Sequence, residues 1–293
     1  MEPIRIDFRD QISRNKWKSF FLMFVVFAVL VALVWVIGMA WGGVDIFIIL
    51  IIAIIISISY LLISYYNSDK IAIASVGAKK ASRENYKQYY QLVEGLTIAS
   101  GLPMPGLYVM KSAQINAFAS GRDPQHAVVC VTEGALAKLD KRELEGVLAH
   151  ELGHVASYDM RYMTLVAVMV GMISIVSQIF LRSLFFRGGG NDKNNVVFLV
   201  IGIVLAILAP IVVWLVQMSI SRKREFSADA SAVKFTRYPT GLIGALKKIK
   251  ADVVKPEKKV SKAVAPLFFA NPFKGMGSTH PSIDKRIKNL ERM

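Results

Sequence analysis

The residues best suited to chemistry in this chain form the pentad His150-Glu151-Leu152-Gly153-His154. Side chains four residues apart lie on one face of an α-helix, so His150 and His154 could each place a ring nitrogen on one Zn²⁺ at about 2.0–2.1 Å. Glu151 borders the same face, where its carboxylate could take a proton from a water activated by the metal. The pentad predicts a metal site with an adjacent base, although the same pattern also occurs by chance on ordinary core helices.

The flanking residues predict that the pentad is helical. Asp140 followed by Glu143 is typical of a capping box, with Asp at the N-cap and Glu at N3. Apolar residues then recur at helical spacing and give the helix a face to bury: Leu144, Val147, Leu148, Leu152 and Val155. Gly153 costs about 1 kcal/mol against Ala in a helix interior. A glycine beside a metal can leave room for close approach, so we interpret it as a tolerated cost.

The composition indicates a membrane protein. The chain has 293 residues, of which 54% are hydrophobic, and a mean hydropathy of +0.45, which is more apolar than an ordinary soluble domain. Its formal net charge of +15 fits binding to nucleic acid, an anionic membrane surface or a particular membrane topology. The single cysteine, Cys130, excludes an intrachain disulfide.

Four apolar runs predict four membrane helices. Residues 20–40 carry no charge and are long enough to cross about 30 Å of hydrocarbon. A cleaved signal peptide is the competing interpretation, but its apolar part would be shorter, and the tryptophans near the end of this run are typical of a membrane interface. Residues 46–64 follow a tight turn and complete a hairpin. Residues 163–180 and 196–218 predict a second hairpin around a glycine-rich loop.

Basic residues lie at one end of each predicted hairpin. Residues 1–19 contain five Lys or Arg and residues 221–224 contain three, whereas the turn at 42–45 contains none. The positive-inside rule then places both termini and the polar part of the chain in the cytoplasm. This topology accounts for much of the basic surplus, and no nucleic-acid-binding module is recognisable, so no nucleic-acid partner is expected.

A catalytic zinc keeps three protein ligands and one open position, so a third ligand must come from elsewhere in the chain. Glu225, in the segment REFSAD at 224–229, is the strongest candidate. Asp229 lies four residues on and shares its helical face, where an aspartate can accept a hydrogen bond from a ligand imidazole and fix its tautomer. Taken alone, the segment fits a helix surface with solvated charges better.

Together these motifs resemble a known family. HELGH, followed by an apolar hairpin and then by REFSAD, is similar to the HtpX-type membrane zinc metalloproteases, which are relatives of the CAAX prenyl proteases. The resemblance covers nearly the whole chain. It includes the N-terminal hairpin, Asn116-Ala117-Phe118-Ala119, and Thr279-His280-Pro281 with Arg286. The combination is much more specific than the pentad alone.

The resemblance implies roles for the central residues. His150, His154 and Glu225 would hold one Zn²⁺ per subunit. Glu151 would be the general base that deprotonates the attacking water and then the proton donor to the leaving amine. Asp229 would orient a ligand histidine.

Five further positions follow from the resemblance. Asn116, Ala117 and Phe118 would lie on an edge strand to which a substrate could add as an extended strand. His280 and Arg286 would face the cleft and stabilise the oxyanion. Simpler roles stay open for three of them: Asn116 in a turn, Arg286 in an ion pair with Asp284 or Glu291, and His280 as a loop residue.

The predicted fold class is a mainly α membrane protein, with four transmembrane helices and a cytoplasmic α+β zincin-like (gluzincin) catalytic domain that contains a small sheet. In the polar part we expect a helix over 83–100, ended by Gly101, and strands at 107–110, 115–119 and 126–132. The predicted divisions are a cytoplasmic segment at 1–19, a transmembrane hairpin at 20–66, a first part of the protease domain at 67–162, a second hairpin at 163–220 and a second part of the domain at 221–293.

The implied activity is that of a membrane-embedded zinc metalloendopeptidase that cleaves membrane proteins at cytoplasmically accessible segments, in the quality control of misfolded proteins. The implied location is the bacterial cytoplasmic (inner) membrane. The implied partners are the lipid bilayer, membrane protein substrates and other membrane quality-control proteases. Two alternatives stay open, a CAAX prenyl protease-like processing enzyme and a non-catalytic zinc-binding membrane scaffold. A closed structural zinc site usually has four ligands and no base, which argues against the scaffold.

The predicted topology can be tested by accessibility mapping of cysteines introduced one at a time. We expect the N terminus and Lys258 on the cytoplasmic side and Gly189, in the glycine-rich loop, on the opposite side, because four spans return the chain to the side on which it began. Labelling of Gly189 and Lys258 from the same side would contradict the four-span prediction.

Overall fold

The computed structural model describes residues 8–41, 45–165, 222–252, 268–269 and 281–293. Apart from Met163–Leu165, the second pair of predicted membrane runs lies outside these residues, so the four-span prediction stays a prediction. His280 also lies outside them.

The first hairpin consists of helix α1 (Phe8–Trp41) and helix α2 (Ile46–Tyr66), which pack against each other. Asp45 caps α2, because its carboxylate accepts a hydrogen bond from the Phe47 backbone N–H at 2.8 Å. Both helices are long and apolar enough to cross a membrane, and α2 exposes large apolar side chains such as Phe47 and Ile63 along its length. Apolar surface this continuous is typical of contact with lipid.

Helix α1 begins at Phe8, well before the charge-free run at residue 20, so the basic N-terminal segment continues the membrane helix. The charges of this segment hid its helical structure in the sequence, because no apolar periodicity marks it.

A four-stranded sheet follows the hairpin. Its strands are β1 (Lys79–Lys80), β2 (Gly106–Met110), β3 (Ala117–Ser120) and β4 (Val128–Thr132). The order is β1-β2-β4-β3, with β2 and β4 parallel and the other pairs antiparallel. The three predicted strands are therefore present, with boundaries shifted by up to two residues, whereas β1 is too short and too polar to be found from a pattern.

Helices lie on both faces of the sheet: Ala72 and Ile73 of the first helix after the hairpin share a core with Cys130 on one face, and the other helices share a core with Val129 on the opposite face. Those in the first part of the chain are α3 (Ser68–Ser75), α4 (Lys87–Ser100), α5 (Glu133–Lys138) and α6 (Lys141–Ala156). Those in the second part are α7 (Arg222–Thr236), α8 (Pro239–Ala251) and α9 (Ile283–Leu290). Helix α4 starts later than the predicted residue 83, because residues 83–86 form a turn. Its predicted end is confirmed, since Gly101 takes the left-handed conformation with φ 72°.

The pentad helix α6 lies at the centre of this body. Its capping box is confirmed, with the Asp140 carboxylate accepting from the Glu143 backbone and the Glu143 side chain accepting from the Asp140 backbone. It packs against α4, α7, α8 and β3. Its apolar face joins one core with the inner faces of β2 and β4, and Leu148 and Val129 are completely buried there.

The body is also tied to the membrane hairpin. The Arg122 guanidinium donates to the Tyr66 carbonyl at 2.9 Å, at the end of α2. The Arg161 guanidinium lies 5.0 Å from the centre of the Tyr65 ring. These contacts place the sheet and the end of α6 beside the end of the second membrane helix.

The contact between α6 and α8 depends on Gly146. A Cβ built at Gly146 would lie 2.6 Å from the Leu242 backbone nitrogen and 2.8 Å from its Cα. Because these are backbone atoms, no change of side-chain conformation can relieve the clash. Gly146→Ala is therefore expected to destabilise the folded chain by about 1–3 kcal/mol, measured by unfolding of the full chain in detergent. Gly95→Ala is the matched control, since nothing lies within 4 Å of its Cβ position. Gly95 lies on the exposed face of α4, so this substitution is expected to stabilise the folded chain by about 0.5–1 kcal/mol. Equal effects of the two substitutions would contradict the close contact.

Candidate metal centre

Two helices, α6 and α7, bring the predicted ligands together. His150 and His154 lie one turn apart on α6, Glu225 lies on α7, and all three side chains are buried. The helices approach closely at Gly153, where an added Cβ would lie 3.2 Å from the Ala228 Cα on α7. The glycine in the pentad thus makes room for the helix that carries the third ligand.

The three side chains converge on one point. His150 Nε2 and His154 Nε2 are 3.2 Å apart. Glu225 Oε2 lies 3.7 Å from His150 Nε2, and Glu225 Oε1 lies 3.6 Å from His154 Nε2. Ligand atoms around a tetrahedral zinc at its usual bond lengths are about 3.3–3.5 Å apart. The donor set, two imidazoles and a carboxylate, and its spacing therefore fit a zinc ion.

Asp229 and Arg286 fix His150. The Asp229 Oδ1 lies 2.9 Å from His150 Nδ1, which leaves Nε2 directed at the cluster. Arg286, on α9, donates to both Asp229 oxygens, at 3.0 and 2.6 Å. Burial and then the positive charge of Arg286 lower the pKa of His150 to about 4, so the ring is neutral and can act as a ligand.

Asp159 performs the corresponding role for His154. Its Oδ2 lies 3.4 Å from His154 Nδ1 and accepts a hydrogen bond from the Ser157 hydroxyl at 2.8 Å. Burial by itself would lower the pKa of His154, but Asp159, Glu225 and Glu151 together raise it to about 9. Carboxylates that favour a proton on His154 also favour a metal cation beside it.

The charge balance also fits a divalent cation. Among the described residues around the cluster, four carboxylates and two guanidinium groups are buried. The carboxylates belong to Glu151, Asp159, Glu225 and Asp229, and the guanidinium groups to Arg224 and Arg286. Excess negative charge in a buried site is costly unless a cation offsets it.

Glu151 lies beside the proposed ligands but is not one of the three residues that converge on the metal position. Its carboxylate accepts a hydrogen bond from the Ala119 backbone on β3, and its Oε1 has no hydrogen-bond partner among the described residues. Burial raises the pKa of Glu151 to about 7, with the neighbouring Glu225 adding to the increase. A buried carboxylate with a free oxygen and a pKa near neutrality suits a general base.

The predicted substrate strand is buried by the chain itself. Asn116, Ala117 and Phe118 are all almost inaccessible. The Ala117 carbonyl accepts a hydrogen bond from the Phe269 backbone at 2.8 Å, and the Phe118 ring packs on Phe268 with centroids 5.1 Å apart. Asn116 also makes the local contact expected of a turn residue, since its Oδ1 accepts from the Ala117 N–H at 3.0 Å. Its part in substrate binding stays a prediction.

Arg286 is more deeply buried than its predicted cleft position required. Only 2% of it is exposed, and the partners that the sequence suggested, Asp284 and Glu291, are not the ones it binds. Its guanidinium contacts Asp229 and lies 3.5 Å from Glu225 Oε2. These contacts make it a support of the ligands, and stabilisation of the oxyanion by Arg286 stays a prediction.

Sequence reasoning missed Asp159 and the contact of Asn15 with it. Asp159 could have been found from its position just after the pentad helix, where a carboxylate can contact the last histidine of that helix. No local signal marks Asn15, whose side chain meets Asp159 across 144 residues.

The fold and the site define a membrane metalloprotease, and comparison with known proteins gives the same class. The model of Peptidase family M48 matches residues 83–293. A Protease HtpX homolog of Dictyoglomus turgidum is 38% identical over 291 residues, covering 98% of this chain and 95% of that one. A Protease HtpX homolog of Caldanaerobacter subterraneus is 42% identical over 240 residues, covering 79% and 80%. This chain belongs to peptidase family M48, which confirms the resemblance drawn from its motifs.

A solved structure supports the fold. The crystal structure of S. mikatae Ste24p superposes with a TM-score of 0.51 at 16% identity, covering 96% of this chain and 66% of that one. At this identity the likeness concerns the fold alone.

Glu225 is the proposed ligand that the sequence pattern supports least. Glu225→Ala is expected to abolish high-affinity zinc binding by the full chain, because it removes one of three ligands. The measurement is zinc affinity by chelator competition. The matched control is Glu84→Ala, an exposed glutamate before α4, which is expected to leave zinc affinity unchanged. Equal affinities of the two variants would remove Glu225 from the site.

Proposed function

We propose that this protein is a zinc metalloendopeptidase that cleaves membrane proteins at segments reachable from the cytoplasm. The observation that carries the proposal is the convergence of His150, His154 and Glu225 on one buried point, with the unshared carboxylate of Glu151 beside them. The set contains three ligands and a base, as in catalytic rather than closed structural zinc sites.

The residues divide the reaction between them. Zinc in such a site polarises a peptide carbonyl and makes water a nucleophile at neutral pH. Glu151 takes the proton of the attacking water and returns it to the leaving amine, because its pKa near 7 allows both steps. The Ala119 N–H holds one end of this carboxylate. Asp229 and Asp159 keep the Nε2 atoms of both histidines directed at the metal.

The substrate class follows from the place of the site. The turn that ends α6 touches α1, and the loop after β3 touches the end of α2. A peptide bond cleaved here belongs to a chain close to the membrane surface, which supports membrane proteins as substrates. A role in the removal of misfolded membrane proteins, in a bacterial inner membrane with both termini cytoplasmic, fits this position and the charge distribution of the sequence.

Glu151→Gln tests the catalytic assignment. It is expected to keep zinc affinity and folding, since Glu151 is not a ligand, but to lower peptide hydrolysis by orders of magnitude. The matched control is Glu145→Gln on the same helix, where Glu145 pairs with Arg142 at the surface. Hydrolysis at the wild-type rate by Glu151→Gln, with Glu145→Gln also active, would show that the base is another residue.

A further inference from the structure

A polar side chain of the first membrane helix reaches the metal centre. Asn15 lies on α1, within the basic segment that was predicted to be cytoplasmic, and only 4% of it is exposed. Its Nδ2 donates to Asp159 Oδ1 at 2.7 Å and to the Ser157 carbonyl at 2.9 Å. The Asn15 side chain therefore binds both the backbone and the carboxylate of the turn that ends α6.

That turn holds an unusual backbone. Tyr158 has φ 61°, in the left-handed region that a residue with a bulky side chain rarely adopts. Such a conformation persists only where the surrounding structure imposes it. Helix α1 supplies part of these surroundings. Lys16 Nζ lies 4.6 Å from the centre of the Tyr158 ring, and Asn15 donates hydrogen bonds to the residues before and after Tyr158.

The strained turn directs Asp159 at a metal ligand. With Oδ1 bound by Asn15, the other oxygen, Oδ2, lies 3.4 Å from His154 Nδ1. This distance is longer than an ordinary N–H···O hydrogen bond. A small change in the carboxylate position therefore decides whether the bond forms. Asn15 holds that position at Oδ1, and the Ser157 hydroxyl, which donates at 2.8 Å, holds it at Oδ2.

We propose that Asn15 is a positioning residue of the metal centre, which holds Asp159 so that Asp159 orients His154. The first membrane helix is then a structural part of the metal site as well as an anchor. This inference rests on the proposed zinc function. Carboxylates commonly orient the histidine ligands of metals. Here the carboxylate is itself held by a residue of a membrane helix.

A purely structural contact between α1 and the protease body would use the same hydrogen bonds but would respond differently to mutation. In that case Asn15 would affect folding, and its effect on zinc would not depend on Asp159. If Asn15 acts through Asp159, removing Asp159 first makes Asn15 irrelevant to zinc affinity. A double-mutant cycle separates these cases.

The experiment measures zinc affinity of the full chain in detergent micelles by chelator competition. The visible spectrum of the cobalt-substituted protein serves as a second readout of ligand geometry. Asp159→Ala is expected to weaken zinc binding by about 10–100-fold, and Asn15→Ala by about 10-fold. The double variant is expected to match Asp159→Ala alone. Ser13→Ala is the matched control on the exposed side of the same helix, with unchanged affinity and spectrum.

Two results would overturn the proposal: additive losses in the double variant, or wild-type zinc affinity and cobalt spectrum for Asn15→Ala. If Asn15→Ala fails to fold, Asn15→Asp keeps the size of the side chain and sets a carboxylate against Asp159. It is then expected to lose at least as much affinity, and wild-type affinity would overturn the proposal equally. Failure of the wild-type chain to bind zinc would instead refute the proposed function, so the two failures are distinguishable.

Discussion

The close packing of α6 against α7 is the constraint on which the site depends. The Glu225 side chain can span only a short distance between two helices. It reaches the two histidines because Gly153 lets the two backbones approach closely. A side chain at position 153 would lie 3.0 Å from Ser231 Cβ and 3.2 Å from the Ala228 Cα. The helix accepts about 1 kcal/mol of lost propensity at this glycine. In return Asp229, one turn beyond Glu225, reaches the far side of His150.

Burial makes the charges around this contact interdependent. An unpaired charge in a protein interior is costly, so each ligand histidine has its own carboxylate, and Arg286 stabilises the carboxylate of His150. Burial opposes ionisation of Asp229, yet Arg286 and His150 hold its pKa below the ordinary value. Glu151 is compensated least, which is why its pKa rises toward neutrality while that of Asp229 falls. Environment alone thus separates the carboxylate that supports His150 from the proposed base, on two neighbouring helices.

The sequence predicted those parts of the fold and site that depend on local pattern. The α6 capping box, the Gly101 helix end and the three longer strands follow from residues close in the chain. Glu225 and Asp229 needed the resemblance to a family, because their spacing alone fits a solvated helix surface. The burial of Arg286 and the contact of Asn15 with Asp159 were out of reach, since they join residues 57 and 144 positions apart. Such contacts depend on tertiary packing, which periodicity does not describe.

The order of the chain explains why a membrane helix takes part in the metal site. The two histidines come before the apolar runs at 163–180 and 196–218, and Glu225 comes directly after them. The chain therefore connects both helices of the proposed ligands to segments predicted to lie in the membrane. A third tie to the membrane, through Asn15 and the strained turn at Tyr158, fixes the end of α6 that carries His154. The first membrane helix and the end of α6 are thus in direct contact, so the packing of α1 against the protease body bears on the position of His154.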